Sequence, residues 1–138
     1  MREQRKIDYS YSNDEYLSVF VGTCESEELL NTYLEIDYEL FEYEYIASEF
    51  GVDFGINIYD EDYFVAVMNS ISSNQIAVVF KEATVFNLRK LEALYPNGLG
   101  ENYNTAIVIG KMKYEGTIKE IHNDEFGHYK FLGTFSYT

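Results

Sequence analysis

The sequence has no tryptophan, a single cysteine and a single proline in 138 residues. Cys24 has no partner for an intramolecular disulfide, which favours a reducing compartment. Long apolar runs are also missing: the longest, such as residues 76–80, are far shorter than the span of about 20 residues that crosses a membrane as a helix. The charged N-terminus, residues 1–8, is followed by no apolar stretch of the kind found in signal peptides. We therefore expect a cytoplasmic protein.

Basic residues are missing from more than half of the chain. Residues 7–80 contain sixteen Asp or Glu and no Lys or Arg, whereas residues 81–138 contain seven residues of each sign. Binding to nucleic acid or to an anionic membrane needs clustered Lys and Arg, so the sequence argues against both partners. The net charge of −14 leaves two interpretations open. The acids either keep the protein dispersed in water, or they form a negative face that docks a basic partner protein.

Aromatic side chains, by contrast, are abundant. The chain has 14 Tyr and 10 Phe, and 46% of its residues are apolar, which is typical of a globular protein with a substantial core. Its length fits one domain, and no Pro-rich or Gly/Ser-rich linker divides it. We predict an N-terminal extension at residues 1–15 and a single domain at residues 16–138. Tyr combines an apolar ring with a polar tip, so it suits binding surfaces as well as the core.

Hydrophobic patterns predict an α+β domain with about three helices and a mostly antiparallel sheet. Residues 16–21 are β-branched and aromatic, which predicts the first strand. Residues 25–34 predict a helix, because acids fill its first turn and apolar side chains form a stripe. The stripe consists of Leu30, Tyr33 and Leu34.

The middle of the chain predicts two more helices around a short strand. Asp60 is a suitable N-cap for a helix at residues 60–70, whose apolar side chains recur at helical spacing. These side chains are Phe64, Val67, Met68 and Ile71. Residues 76–80 predict a buried strand, and residues 82–94 predict a helix with Val85, Leu88 and Leu91 on one side.

The C-terminal part predicts a β-meander, with strands at residues 105–114, 117–121 and 128–137 joined by turns. Period-two alternation places four aromatic residues of the last strand on one face. They are Tyr129, Phe131, Phe135 and Tyr137. An exposed last strand would offer a pairing site to a second copy of the chain.

Residues 35–45 form the most acidic patterned stretch. Apolar and acidic side chains alternate there with period two, and the alternation loses phase at Leu40 and Phe41, which indicates a turn or bulge. The stretch combines dense negative charge with tyrosines, and this combination suits a surface that binds a basic protein.

Motifs for catalysis, metals and cofactors are missing. Asp60-Glu61-Asp62 spaces two acids as metal ligands are often spaced, but the glycine and the closing Glu of an EF-hand loop are absent. His122 and His128 lie on either side of a turn signal with one distant cysteine, so we predict no metal site and no cofactor. The nucleophile elbow and both phosphate-binding loops are absent, which predicts that the protein is not an enzyme. Two carboxylates suffice for a glycosidase, so a small carboxylate-dependent hydrolase stays open as an alternative.

The segment at residues 48–63, SEFGVDFGINIYDEDY, is the most distinctive in the chain. It closely resembles the central motif of the immunity protein 22 family of bacterial polymorphic toxin systems. Residues 19–22, 104–109 and 131–137 resemble strands of the same family, and the chain departs from its pattern at Gly110-Lys111 and over residues 71–85. Within the motif we expect core positions and one helix cap. The core positions are Phe50, Phe54, Ile56 and Ile58, and the cap is Asp60.

The resemblance implies a cytoplasmic protein that binds and neutralises a cognate toxin domain and has no catalytic residues. Many such toxins act on nucleic acid and have basic active-site clefts, so the expected partner is a basic toxin domain such as a nuclease. We predict that an acidic, Tyr-rich surface covers the toxin. Its residues are Glu35, Asp37, Tyr38, Glu39, Glu42, Tyr43, Glu44, Asp60, Glu61 and Asp62. An acidic interaction or regulatory module without a toxin partner is the alternative.

Overall fold

The structure is a computed structural model that describes residues 11–83 and 88–136. These residues form five strands, five short α-helices and one 3₁₀ turn at Glu61–Tyr63. The strands are β1 (Ser12–Thr23), β2 (Phe64–Ser73), β3 (Tyr103–Met112), β4 (Glu120–Asn123) and β5 (Gly127–Ser136). The helices are α1 (Glu27–Leu34), α2 (Tyr38–Glu42), α3 (Glu49–Phe54), α4 (Ile76–Val79) and α5 (Leu88–Leu94). Residues 12–15 of the predicted N-terminal extension belong to β1, and residues 1–10 lie outside the described residues.

Strand β1 lies at the centre of one antiparallel sheet. The strand order is β2-β3-β1-β5-β4, and every neighbouring pair is antiparallel. Residues 17–22 of β1 are buried without interruption, because helices cover both faces of the sheet. This architecture confirms the predicted α+β class with an antiparallel sheet.

The three C-terminal strands are not consecutive in the sheet. Strands β4 and β5 form a hairpin, but β1 separates β5 from β3, so the predicted meander holds only for its last two strands. Strand β5 is interior, between β1 and β4, and is therefore not an exposed pairing site. Among the described strands, the edges of the sheet are β2 and β4.

Two hydrophobic clusters pack against opposite faces of the sheet. Side chains alternate along β1, so Phe20 contributes to the cluster under α1 and α3, whereas Val19 and Val21 contribute to the cluster under α4 and α5. The Phe20 ring lies 5.1 Å from that of Phe50 and 5.0 Å from that of Phe54, in edge-to-face contacts. Aromatic packing on this face thus fixes α3 to the centre of the sheet.

The segment at residues 48–63 builds the core, as predicted. Phe50, Phe54 and Ile56 are buried, and Ile58 is partly buried against the same cluster. Helix α3 begins after Ser48, whose Oγ accepts a hydrogen bond from Gly51 N at 2.9 Å. It ends at Gly55, whose φ of 72° lies in the left-handed region that favours glycine.

Helix α1 confirms the predicted helix and its stripe. Ser26 is the N-cap, and its Oγ accepts a hydrogen bond from Leu29 N at 3.2 Å. Leu30, Tyr33 and Leu34 are buried against the sheet.

The helix predicted at residues 60–70 is wrong, because residues 64–73 form strand β2. The first five residues of this strand, residues 64–68, are all apolar and partly buried on both faces of the sheet. Phe64, Ala66 and Met68 pack on one face of the sheet, and Val65 and Val67 pack on the other. The i, i+3, i+4, i+7 spacing therefore arises by chance, because a strand with apolar residues on both sides also has apolar residues at these positions. Asp60 caps the 3₁₀ turn instead.

The strand predicted at residues 76–80 is also wrong, because α4 lies there. Ile76, Val79 and Phe80 are buried while Ala77 and Val78 are exposed, which is the spacing of a helix that covers a core. Asn69 Nδ2 of β2 donates to Val79 O at 2.9 Å and so ties the last turn to the sheet. Tertiary packing outweighs the strand preference of these β-branched residues.

The helix predicted at residues 82–94 is shorter in the structure. Helix α5 covers Leu88–Leu94, with Leu88 and Leu91 packed in the core as expected. Lys81 and Glu82 belong to a turn, and the predicted stripe residue Val85 lies outside the described residues.

A bulge divides the aromatic residues of β5 between the two faces. Val19 pairs with Gly133 and Phe20 pairs with Phe131, so Leu132 has no partner on β1. Tyr129 and Phe131 therefore pack on the α1 side, whereas Phe135 packs on the α5 side. The prediction that all four aromatics share one face is wrong for Phe135, and Tyr137 lies outside the described residues.

Candidate functional site

The acidic stretch at residues 35–45 contains helix α2, where the period-two alternation predicted a turn or bulge at Leu40 and Phe41. Asp37 starts the helix: its Oδ1 accepts hydrogen bonds from Glu39 N at 3.0 Å and Leu40 N at 3.2 Å. Local capping thus outweighs the period-two pattern. The carboxylate of Asp37 has a structural role, whereas Glu39, Glu42 and Tyr43 are exposed.

The second acidic segment, residues 60–62, is held by the same kind of cap. Asp60 Oδ1 accepts a hydrogen bond from Asp62 N at 3.0 Å, and this contact starts the 3₁₀ turn. Asp60, Glu61 and Asp62 are all exposed. The turn therefore displays three adjacent carboxylates to solvent.

The two acidic segments meet through Tyr38. Its hydroxyl donates to Glu61 Oε1 at 2.6 Å, although Tyr38 precedes Glu61 by 23 positions. This hydrogen bond raises the pKa of Tyr38, and burial and the charges of Glu61, Asp60 and Asp62 add to the effect. About half of the Tyr38 side chain is exposed, so its ring remains available for contacts.

A cleft of about 500 Å³, here called the first cleft, lies beside this contact. Its acidic and aromatic walls come from three separate segments: Asp14 of β1, Tyr38 of α2, and residues 60–62. Lys111 of β3 lies at the same cleft, with Nζ 3.8 Å from the centroid of the Tyr63 ring. Its hydrogen bond with Tyr63 raises the pKa of Lys111, and Asp14 and Asp60 raise it further. One cation thus lies within a predominantly negative concave surface.

A wider concavity of about 980 Å³, here called the second cleft, adjoins the first. Its acidic residues are Glu27, Glu28, Glu35 and Glu61. Tyr59 and Glu61 line both clefts, and the Tyr59 ring stacks on Phe64 with centroids 5.1 Å apart. The Tyr59 hydroxyl donates to Leu34 O, and burial raises the pKa of this phenol. A rigid aromatic wall therefore separates two acidic depressions.

The structure brings together half of the predicted surface and separates the rest. The predicted residues that line the two clefts are Glu35, Tyr38, Asp60, Glu61 and Asp62. Those that line neither cleft are Asp37, Glu39, Glu42, Tyr43 and Glu44. Glu44 has a φ of 65°, in the turn that follows α2. The outer side of α2 is thus a separate acidic surface.

Sequence reasoning missed four charged residues of the clefts. Glu27 and Glu28 were assigned only to the first turn of α1, and Asp14 was assigned to the N-terminal extension. Lys111 was noted only as a departure from the family pattern. The shared location of Asp14 and Lys111 depends on the pairing of β1 with β3, for which the local sequence carries no signal.

A second group of polar side chains lies on the β4–β5 hairpin, far from the clefts along the sheet. His122 and His128 are directly paired across the hairpin, and Glu120 precedes His122 by two positions on the same strand. Single ligand atoms of these three residues all lie within 4.8 Å of one another. The hydrogen bond from His128 lowers the pKa of Glu120. The sequence prediction of no metal site considered only the spacing along the chain and not this pairing.

No helix in the described part of the chain is long and apolar enough to cross a membrane. Cys24 is buried, and its Sγ lies 3.3 Å from Ser26 O at the start of α1.

Comparison with known proteins identifies the family. Neither the curated protein sequences nor the solved structures contain a match to this chain. The family profile described as Immunity protein 22 matches residues 17–138, which is nearly the whole chain. Membership in an immunity family supports an immunity role with a toxin as partner, and points away from catalysis. The acidic α+β domain described above therefore belongs to the Immunity protein 22 family.

Proposed function

We propose that the protein neutralises a basic toxin domain by covering it with the two acidic clefts. The observation that carries the proposal is the convergence of carboxylates from separate segments on one concave region. Asp14, Glu35 and Glu61 come from different parts of the chain, and the fold places them at two clefts that share one wall.

The electrostatics of this region suit a cationic partner. Carboxylates in a concave surface reinforce one another's potential, which speeds the approach of a basic protein. A toxin that acts on nucleic acid presents Lys and Arg where phosphates bind, and the carboxylates of the clefts offer those side chains alternative partners. A nuclease is therefore the toxin class that fits best.

Tyr38 is the proposed anchor of the complex. It is an exposed aromatic residue at the centre of the acidic region, and its hydroxyl is already oriented by Glu61. Aromatic residues that become fully desolvated at the centre of an interface contribute much of the binding energy. The outer residues of α2, Glu39, Glu42 and Tyr43, form the rim in this arrangement.

A charge-reversal experiment with the cognate toxin domain tests the proposal. The test variant is Glu35→Lys/Glu61→Lys. The matched control is Glu82→Lys/Glu92→Lys, which changes the net charge equally at exposed positions near α4 and α5. We expect the test variant to slow association about 10-fold or more, because charge complementarity can accelerate association by that much. The control should stay within about twofold of the wild type.

Stopped-flow association at increasing salt and growth rescue on co-expression give two readouts. Association of the wild type should slow as salt rises, because the screening length falls to about 8 Å at physiological ionic strength. If the test and control variants slow association equally, the acids act through net charge alone and not through the clefts. Undiminished rescue and association by the test variant would exclude the clefts from the interface.

A further inference from the structure

We propose that Glu120, His122 and His128 form a binding site for a divalent transition-metal ion, with Zn²⁺ as the best fit. Imidazole nitrogen and carboxylate oxygen are ligands that zinc uses, and three protein ligands with an open fourth position are a common arrangement. The site is independent of toxin binding, because it lies on the β4 edge of the sheet whereas the second cleft contacts the β2 edge.

The hairpin geometry places the three ligand atoms together. His122 and His128 are cross-strand partners, and side chains two positions apart on a strand lie on the same face. Glu120 Oε2 lies 3.8 Å from His122 Nε2 and is also in contact with His128 Nε2. All three atoms thus surround one point above the hairpin.

The distances are close to those of a metal site. Zinc bonds of about 2.0–2.1 Å in a tetrahedron place neighbouring ligand atoms about 3.3 Å apart. The ligand atoms here lie within 4.8 Å of one another, so shifts of roughly an ångström complete the geometry. Exposed side chains make such shifts readily, and 74% of the His122 side chain is exposed.

A second carboxylate lies beside one of the ligands, at an ion-pair distance. His128 Nδ1 lies 3.7 Å from Glu101 Oε2, while its Nε2 points to Glu120. Histidines that bind zinc commonly present their other ring nitrogen to a carboxylate, which fixes the ring and strengthens the metal bond. Glu101 precedes β3 in the chain, so this support comes from a different part of the fold. It is the observation that separates the site from a simple pair of neighbouring histidines.

Metal binding requires one rearrangement. The His122 and His128 rings are stacked, with centroids 4.0 Å apart and planes 8° from parallel. Two parallel rings cannot both direct a lone pair at one ion, because each metal bond lies close to its ring plane. The exposed His122 ring therefore tilts away from His128 when the ion binds. This change gives the proposal a spectroscopic signature in the ring protons.

Calorimetric titration of the tag-free protein with ZnCl₂ tests the site. We expect saturable binding of one Zn²⁺ per chain, and loss of that binding in both His122→Ala and His128→Gln. Glu125→Gln changes an exposed acid in the turn of the same hairpin and should bind like the wild type. Glu101→Gln should weaken binding about 10-fold, which is the lower end of the effect of losing an orienting carboxylate.

Two further measurements keep the test decisive. Titration with Mg²⁺ should give no comparable binding, because that ion prefers oxygen ligands in an octahedron. Proton NMR should show the ring signals of both histidines shifting with added Zn²⁺ in the wild type. Equal zinc binding by the two histidine variants and the wild type would assign the ion to the acidic surface in general and overturn the proposal. Absence of binding in the wild type would overturn it as well.

Discussion

Replacing Tyr33 by Phe removes one hydroxyl group from the interior and leaves the ring in place. That hydroxyl donates to Asp53 Oδ2 at 2.8 Å, and both side chains are buried. Asn123 Nδ2 donates to the same oxygen at 2.8 Å. One buried carboxylate thus connects α1, α3 and the end of β4. The variant measures how much this connection contributes to stability.

The expected loss follows from the charge of the acceptor. A hydrogen bond to a charged group contributes about 1.5–3 kcal/mol, and a carboxylate that is only 6% exposed regains little solvation when it loses a donor. Asn123 still donates in the variant, so the loss should lie near the lower limit, at about 1.5–2 kcal/mol. Removal of both donors should cost more than the sum of the separate losses, because the two donors share one oxygen.

Urea unfolding followed by circular dichroism gives the free energy of unfolding of each variant. Tyr43→Phe is the matched control, because 66% of the Tyr43 side chain is exposed and it should change stability by less than about 0.5 kcal/mol. The reasoning fails if Tyr33→Phe is as stable as the control. It also fails if Tyr33→Phe and Asn123→Ala are strictly additive.

Two further predictions concern the close approach of strands and the buried phenols. A methyl group at Gly22 would lie 2.3 Å from Tyr129 Cδ1, so Gly22→Ala should destabilise the protein by about 3 kcal/mol, and an unchanged urea midpoint would contradict this packing. Burial raises the pKa of Tyr103 to about 12 from its ordinary value near 10, so the unfolded chain releases the phenol proton at a lower pH than the folded chain. The free energy of unfolding should therefore be independent of this group below pH 10. Between pH 10 and 12 it should fall by about 1.4 kcal/mol per pH unit for each such tyrosine. Urea unfolding at a series of pH values measures this decrease.

The elements that the sequence predicted correctly have local causes. Helix α1 has a serine cap, acids in its first turn and one apolar stripe, and all three signals agree. The central residues of β1 and β3 are mostly apolar and rich in β-branched or aromatic side chains, so their type was evident. The α+β class follows from these elements together.

The elements that were predicted wrongly depend on contacts with distant parts of the chain. The first half of strand β2 is apolar on both sides because it packs against both core clusters, and this imitates a helical stripe. Three of the four residues of helix α4 are β-branched, and the helix forms because Ile76 and Val79 are buried against the sheet. Helix α2 depends on one capping aspartate in a stretch that otherwise alternates.

The candidate site was predictable in composition but not in arrangement. Charge density and tyrosines indicated Tyr38 and Glu61 separately, and only the fold joins them through a hydrogen bond. The two histidines of the β4–β5 hairpin are likewise brought together only by the fold. Six positions separate the two residues along the chain, and the hairpin register makes them direct neighbours.

The central position of β1 determines when the protein can fold. Strand β1 pairs with β3 and β5, which come much later in the chain, and a bond such as that from Ser18 Oγ to Met112 O joins residues 94 positions apart. Pairings of such long sequence separation make folding slow, because the loop must close before the contacts form. During synthesis β1 therefore leaves the ribosome well before its partners β3 and β5, and the centre of the sheet can form only after β5 has emerged.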